Sequence, residues 1–336
     1  MNVLGIESSC DETSVAVISN NILTANLISS QDFHSKYGGV VPELSSRAHL
    51  QIIVPLIKDA LAKSNLQLKD IDLITATAGP GLIGALIVGL TFAKGLALSL
   101  DKNYVAVNHI EGHIFSGFLM EEKPEFPFLA LVVSGGHTLL LLVEDFMRIK
   151  KLGSTVDDAA GEAFDKVAKM LGLGYPGGPK IQQTALNGDP DKINFPVADL
   201  KNTYNFSFSG LKTSVLRYLQ KNYIEKEAPG KDLADVAASF QNAVVKAIVK
   251  NTEKALNNFE VNSLCLVGGV AANKAIRSAV SQLGKKYDKK VVIPAMEFCG
   301  DNAAMIAFRG QKLFEQGITS SLDVSPFPGL SANAFS

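Results

Sequence analysis

Two short stretches decide the fold. Val3-Leu4-Gly5-Ile6-Glu7 is followed, across a small polar turn, by Thr13-Ser14-Val15-Ala16-Val17-Ile18. Phe128 to Val133 is followed, across Ser134-Gly135-Gly136-His137, by Thr138 to Val143. Each reads as strand, turn, strand. Both strands of the second copy are continuously apolar, which suits central strands covered on both faces. The echo predicts two lobes, each opening with a polar-tipped hairpin. A chance match between two common hairpins is the alternative.

Outward from these hairpins, helices alternate with strands. Helices are expected over Arg47–Ser64, from Gly81 to Leu100, over Asp157–Leu171 and over Leu233–Asn257, then from Asn273 and from Gly300-Asp301-Asn302 to about Gln316. Strands are expected over Leu73–Ala78, Tyr104–Val107, Val261–Val267 and Val291–Ile293. The alternation implies mainly parallel α/β layers.

At 336 residues the chain has room for about two domains. Apolar residues make up 47% and charged residues 19%, which excludes a disordered chain. Lys plus Arg is 32 and Asp plus Glu 33, so any nucleic-acid contact must use a local patch rather than the overall field. Lysines are locally dense at Lys285, Lys286, Lys289 and Lys290, and again with Arg217 at Lys212 and Lys221. Three scattered cysteines, Cys10, Cys265 and Cys299, argue for a reducing compartment. The acidic, non-basic N-terminus is not that of a signal peptide. The most apolar stretch, Gly81 to Ala93, is too short to span a bilayer and reads as a buried helix. A soluble cytoplasmic protein, not a membrane one, is expected.

Four constellations could carry chemistry. In His109-Ile110-Glu111-Gly112-His113, a helix would put the two histidines one turn apart on one face, a common bite for a metal ion. Two polar histidines at a helix start, with no metal, is the competing reading. A third ligand must come from elsewhere, and Asp301 at a strand-to-helix turn is the best candidate. The glycine turns Ser134-Gly135-Gly136, Gly177-Gly178 and Gly268-Gly269 can cradle an anion or serve as ordinary turns. The order of a P-loop and the dinucleotide fingerprint are both absent. Asp158, Glu162, Asp165 and Lys166 fall near one helical face, either solvated or, for Asp165, placed to hold ribose hydroxyls. In Ser9-Cys10-Asp11-Glu12 one carboxylate could take a proton.

These residues also carry a resemblance. Gly5-Ile6-Glu7-Ser8-Ser9-Cys10-Asp11-Glu12-Thr13, the His109–His113 motif, Val133-Ser134-Gly135-Gly136-His137-Thr138 and Gly161-Glu162-Ala163-Phe164-Asp165 recur together. So do Tyr175-Pro176-Gly177-Gly178-Pro179, Phe206–Thr213, Gly268–Asn273 and Cys299-Gly300-Asp301-Asn302. In order, from about Val3 to Phe314, they resemble the tRNA N6-adenosine threonylcarbamoyltransferase family, formerly called glycoprotease. Tyr37-Gly38-Gly39-Val40-Val41-Pro42-Glu43 is similar to its bacterial and organellar branch.

The resemblance implies a two-lobed actin-like α/β fold, that of sugar kinases and heat-shock ATPases, with a duplicated core and a nucleotide cleft between lobes. The expected lobes are residues 1–110 with about 305–336, and about 111–304. It implies transfer of threonylcarbamoyl from threonylcarbamoyl-AMP to the N6 amine of the adenosine 3′ of the anticodon, in tRNAs reading codons that begin with A. By its motifs His109, His113 and Asp301 would bind one divalent metal per subunit, Fe2+ before Zn2+. Val132, Val133, Ser134, Gly135, Gly136, Asp165, Gly178 and Asn273 would bind the adenylate donor, and Asp11 or Glu12 would act as base. The implied partners are tRNA, a non-catalytic paralogue subunit and a small P-loop ATPase.

Three rivals are weaker. Kinases and ATPases of this fold favour an Asp where Glu7 stands, and an Asp-x-Gly-Gly turn where Ser134 opens the second hairpin. A zinc protease needs His-Glu-x-x-His. A non-catalytic paralogue would lack the His pair and the Gly-Gly-Val-x-x-Asn turn, both intact here.

Overall fold

The computed structural model describes residues 1–223, 230–330 and 335. From the N-terminus run β1 (Asn2–Glu7), β2 (Glu12–Ser19), β3 (Ile22–Ser30), α1 (Pro42–Lys63), β4 (Leu73–Gly79), α2 (Ile83–Leu100), β5 (Asn103–Asn108) and α3 (His109–Phe115). There follow β6 (Phe128–Val133), β7 (Thr138–Val143), β8 (Ile149–Ser154), α4 (Ala160–Met170), α5 (Gly177–Ala185), α6 (Ser209–Asn222), α7 (Gly230–Asn258), β9 (Ser263–Val267), α8 (Lys274–Lys286) and β10 (Lys290–Val292). The chain ends with α9 (Met296–Cys299) and α10 (Ala303–Glu315).

Contacts divide these elements into two units, 1–121 with 294–334, and 122–293 with 335–336. The breaks therefore fall after Glu121 and before Pro294, not near 110 and 304 as the sequence suggested. The reason is α3, which packs on α10 and so stays with the first unit, along with His113 and Asp301.

Each unit is built on a five-stranded mixed sheet. The first has the order β3-β2-β1-β4-β5 and the second, read from its other edge, β8-β7-β6-β9-β10. In both, an antiparallel meander of three strands leads, and its first strand pairs in parallel with the fourth. The duplicated α/β core expected from the two hairpins is thus present, and chance resemblance does not explain one topology occurring twice. Every residue of β6 and β7 is buried, as their unbroken apolar runs predict.

In the first unit α1 and α2 cover one face of the sheet, and α10 packs on β1, β2 and β4. Gly5 permits the second contact: a Cβ there would lie 2.6 Å from the Ala303 carbonyl oxygen and 2.8 Å from Ala307 Cβ. α2 is longer than the stretch read as too short to span a bilayer. By length and composition alone it could cross a membrane. Ala85, Leu86, Gly89, Leu90, Ala93 and Ala97 are buried, as in a core helix.

α4 starts at Ala160, later than Asp157. Asp157 is diverted to the start of α6, where Oδ1 accepts from the N–H groups of Phe208 (2.8 Å) and Ser209 (3.2 Å). That satisfies donors which helix geometry leaves free.

Candidate functional site: a His-His-Asp centre and a set of glycine turns

The first unit gathers His109, His113 and Asp301. Asn108 ends β5 and caps α3, its side chain accepting from the Ile110 and Glu111 N–H groups, so His109 becomes the first helical residue. Asn302 caps α10 in the same way, accepting from the Met305 N–H, and this leaves Asp301 at the turn before the helix.

The ligand atoms of the three residues lie within 4.8 Å of one another. His109 Nε2 is 3.4 Å and His113 Nε2 3.1 Å from the same oxygen, Asp301 Oδ1. His109 Nδ1 lies 3.1 Å from Glu7 Oε2, so its N–H donates to that carboxylate, and Nε2 faces Asp301, where it carries a proton or turns its lone pair to a cation. Lone pairs converging on a carboxylate oxygen repel unless a cation or a proton sits among them. Burial works to lower the His109 pKa, but Asp301 and Glu7 outweigh it and hold the imidazole well above its ordinary value. Burial likewise works to raise Asp301 and Glu7, and His109 draws both below the usual carboxylate range. The donor set, two imidazoles and one carboxylate, suits one divalent transition metal with open positions. The residues fit the group that the resemblance implies.

Glu7 is a member of this centre that sequence reasoning did not place. It is fully buried at the end of β1, accepts from the Thr77 hydroxyl and the Ser9 N–H, and orients His109. A carboxylate closing an otherwise apolar strand was the available signal. Glu111 points away from the pair, as its helical angle requires. It accepts from Arg309 of α10 at 2.7 Å (Nε) and 2.6 Å (Nη2), and the guanidinium lies 4.6 Å from the Phe115 ring centroid.

In the same unit Asp11 ends the β1–β2 turn and Glu12 opens β2. Burial, then the charges of Asp301 and Asp11, push Glu12 up to about 9. A general base must be ionised in the working range. Glu12 meets that condition only when positive charge in the centre offsets its neighbours.

The second unit gathers the glycine turns. The Ser134 and Gly135 carbonyls accept from the Gly161 and Glu162 N–H groups at the head of α4, so that helix end is satisfied internally. An anion would have the N–H groups of Gly135 and Gly136 to use, and a Cβ at either glycine would meet nothing within 4 Å. Val132 and Val133 are fully buried at the end of β6, where both pair with β7 and Val132 also pairs with β9. Asp165 Oδ1 accepts from the Gly177 N–H at 2.7 Å, tying α4 to the start of α5; Gly177 and Gly178, read as a turn in the sequence, form the first residues of that helix. The Asn273 side chain accepts from the Ala275 and Ile276 N–H groups and donates to Gln241 Oε1 at 2.8 Å, so it also caps α8.

The basic clusters are partly spent within the second unit. Lys212 and Lys166 both bind Asp158, at 2.7 and 2.8 Å. Lys286 pairs with Glu253 and Lys290 with Glu125.

A family model described as "tRNA N6-adenosine threonylcarbamoyltransferase" matches residues 21–308. The chain belongs to the tRNA N6-adenosine threonylcarbamoyltransferase family. Curated relatives of that name include one from Thermosipho africanus (strain TCF52B), 52% identical over 98% of this chain and 99% of its own. Another, from Kosmotoga olearia, is 49% identical over the same shares. Membership makes the chain a transferase that modifies tRNA.

Among solved structures, HypF of T. kodakarensis aligns with a TM-score of 0.64 at 17% identity, over 94% of this chain and 48% of that one. Component A of the Acidaminococcus fermentans (R)-2-hydroxyglutaryl-CoA dehydratase aligns at 0.56 and 14%, over 93% and 98%. At such identities the likeness speaks for the fold, and that fold is the actin-like one expected.

Proposed function

We propose that the chain moves a threonylcarbamoyl group from threonylcarbamoyl-AMP to N6 of the adenosine 3′ of the anticodon, in tRNAs reading codons that begin with A. The observation that carries the reading is the His109–His113–Asp301 centre, with Glu7 behind it, in a chain of this family. His109, His113 and Asp301 would hold one divalent metal, Fe2+ in preference to Zn2+. When bound, that metal supplies Lewis acidity to a donor oxygen. The chain's own groups do the rest. Glu7 fixes the His109 tautomer, and the Gly135 and Gly136 N–H groups hold the phosphate leaving group. Asp165, held to the Gly177 N–H through Oδ1, is the carboxylate we assign to the ribose hydroxyls, and Val132, Val133, Ser134, Gly178 and Asn273 complete the donor site. Asp11 or Glu12 takes the proton released by the adenine amine as the new N–C bond forms.

The partners we propose are tRNA, a non-catalytic paralogue and a small P-loop ATPase, in the cytoplasm, where Cys10, Cys265 and Cys299 stay free thiols. The exposed apolar side chains of α1 (Leu50, Val54) and α2 (Ile83, Ile87) form the surface we assign to the paralogue. The deciding experiment is mass analysis of nucleosides from unmodified tRNA incubated with the protein, its partners, threonine, bicarbonate and ATP. Appearance of the threonylcarbamoyl nucleoside, dependent on this chain, supports the reading, and its absence ends it.

Gly178 separates ligand contact from folding. A Cβ there meets no atom within 4 Å, so Gly178→Val leaves the fold undisturbed and intrudes only on a bound ligand. Calorimetry should show weaker adenylate binding with unchanged melting temperature and metal content. Unchanged affinity would make this position purely structural.

Lys285, Lys289, Arg217 and Lys221 are the basic residues we assign to tRNA phosphates, since Lys212, Lys286 and Lys290 are engaged by carboxylates. Alanine at an assigned position should lower the slope of log affinity against log salt by up to about one unit per lost contact. Slopes identical to wild type at all four positions would place tRNA elsewhere.

A further inference from the structure

The turn that carries Asp11 and Glu12 is gripped from beneath by buried polar side chains that the chemistry above does not use. Thr13, Ser45 and His49 are fully buried, and Gln31 and His34 nearly so. His49 of α1 places Nε2 3.0 Å from the Cys10 carbonyl oxygen and Nδ1 2.7 Å from Thr13 Oγ1. A carbonyl can only accept, so Nε2 carries the proton and Nδ1 accepts from the Thr13 hydroxyl. Burial lowers the His49 pKa, which favours the neutral ring this arrangement needs. Ser45 Oγ donates to the same Cys10 oxygen at 2.5 Å.

The next carbonyl of the turn is held as well. The Gln31 backbone N–H donates to the Asp11 oxygen at 3.1 Å. The Gln31 side chain accepts at Oε1 from His34 Nε2 (2.9 Å), and His34 Nδ1 accepts from the Val41 N–H (3.3 Å). Two consecutive peptide groups are therefore fixed by donors from α1 and from the segment after β3. Such a network costs more to bury than an apolar core of the same volume, and what it supplies in return is one defined conformation.

We propose that His49, supported by Gln31, is a positioning residue that fixes the Cys10–Glu12 turn and thereby places the Asp11 and Glu12 carboxylates for proton transfer. The inference rests on reading one of those carboxylates as the base. It makes a prediction about side chains that touch neither donor nor metal.

The test compares His49→Gln with His49→Leu in the full chain with its partner subunits. Gln keeps an N–H donor for the Cys10 oxygen, and Leu removes it. One readout is single-turnover transfer from preformed threonylcarbamoyl-AMP to unmodified tRNA, with KM for the donor and metal content. The other is the iodoacetamide labelling rate of Cys10, the one cysteine of the three that is not buried. His49→Leu should slow transfer by about 100-fold, the effect of misplacing a reacting group by about an ångström, with donor KM and metal content unchanged and Cys10 labelled faster. His49→Gln should recover most of the rate and the slow labelling. Wild-type transfer and labelling in both variants would overturn the proposal. So would equal losses in Gln and Leu that track a fall in melting temperature, since the role would then be packing alone. If labelling responds as expected but wild type itself transfers nothing, the function reading fails, and the fixing of the turn stands by itself.

Discussion

His113→Ala and Asp301→Ala should each reduce bound metal from near one ion per chain to near zero, and transfer by at least about 100-fold. Three monodentate donors meet within 4.8 Å, and removal of one leaves two, which hold a divalent ion poorly. The loss should exceed that for Glu7→Gln, which keeps all three ligands but weakens the orientation of His109. Changes behind a ligand cost about 10–100-fold in affinity. Elemental analysis of purified variants measures occupancy directly, and a chelator followed by metal return should abolish and then restore activity in wild type. Full occupancy in both ligand variants would sink the assignment.

Arg309→Met should destabilise the first unit by about 3 kcal/mol, because it strands the Glu111 carboxylate in a largely buried position. The guanidinium is 3% exposed, binds Glu111 through two nitrogens and covers the face of Phe115. It also ties α3, which carries both histidines, to α10, which follows Asp301. Metal affinity should therefore fall together with the melting temperature. The double change Glu111→Met with Arg309→Met removes the stranded charge and should recover most of the stability, as replacement of a whole buried pair by apolar groups usually does. Urea unfolding of the single and double variants checks both statements. A single variant as stable as wild type would show that the pair contributes nothing.

Much of the fold was legible because it is written in local pattern. The apolar runs of β6 and β7 announce central strands, and Asn273 and Asn302 sit where caps should be. The His109–His113 spacing gives a shared helical face by periodicity alone, and that face forms. Boundaries that depend on distant partners were less legible. Asp157 is acidic and precedes a helix, yet it serves the start of α6 instead, a choice made by residues about fifty positions away. The break between units moved past α3 because α10, nearly two hundred residues later, packs on it.

By itself the sequence determined the alternation of strands and helices, the repeated hairpin, the paired histidines and the family pattern, all of which follow from residue type and spacing. Asp301 was already singled out in the sequence, and only the tertiary structure brought it to the histidines and added Glu7 behind them. Asp301 comes from the far end of the chain and Glu7 from its start, and burial couples their charges to His109. The structure likewise decided that Lys212 holds Asp158, that Glu111 belongs to Arg309, and that His49 and Gln31 grip the Cys10–Glu12 turn. The physical reason is the same in each case. A buried polar group must find a partner, and which partner is near depends on packing between elements remote in sequence, which no local pattern encodes.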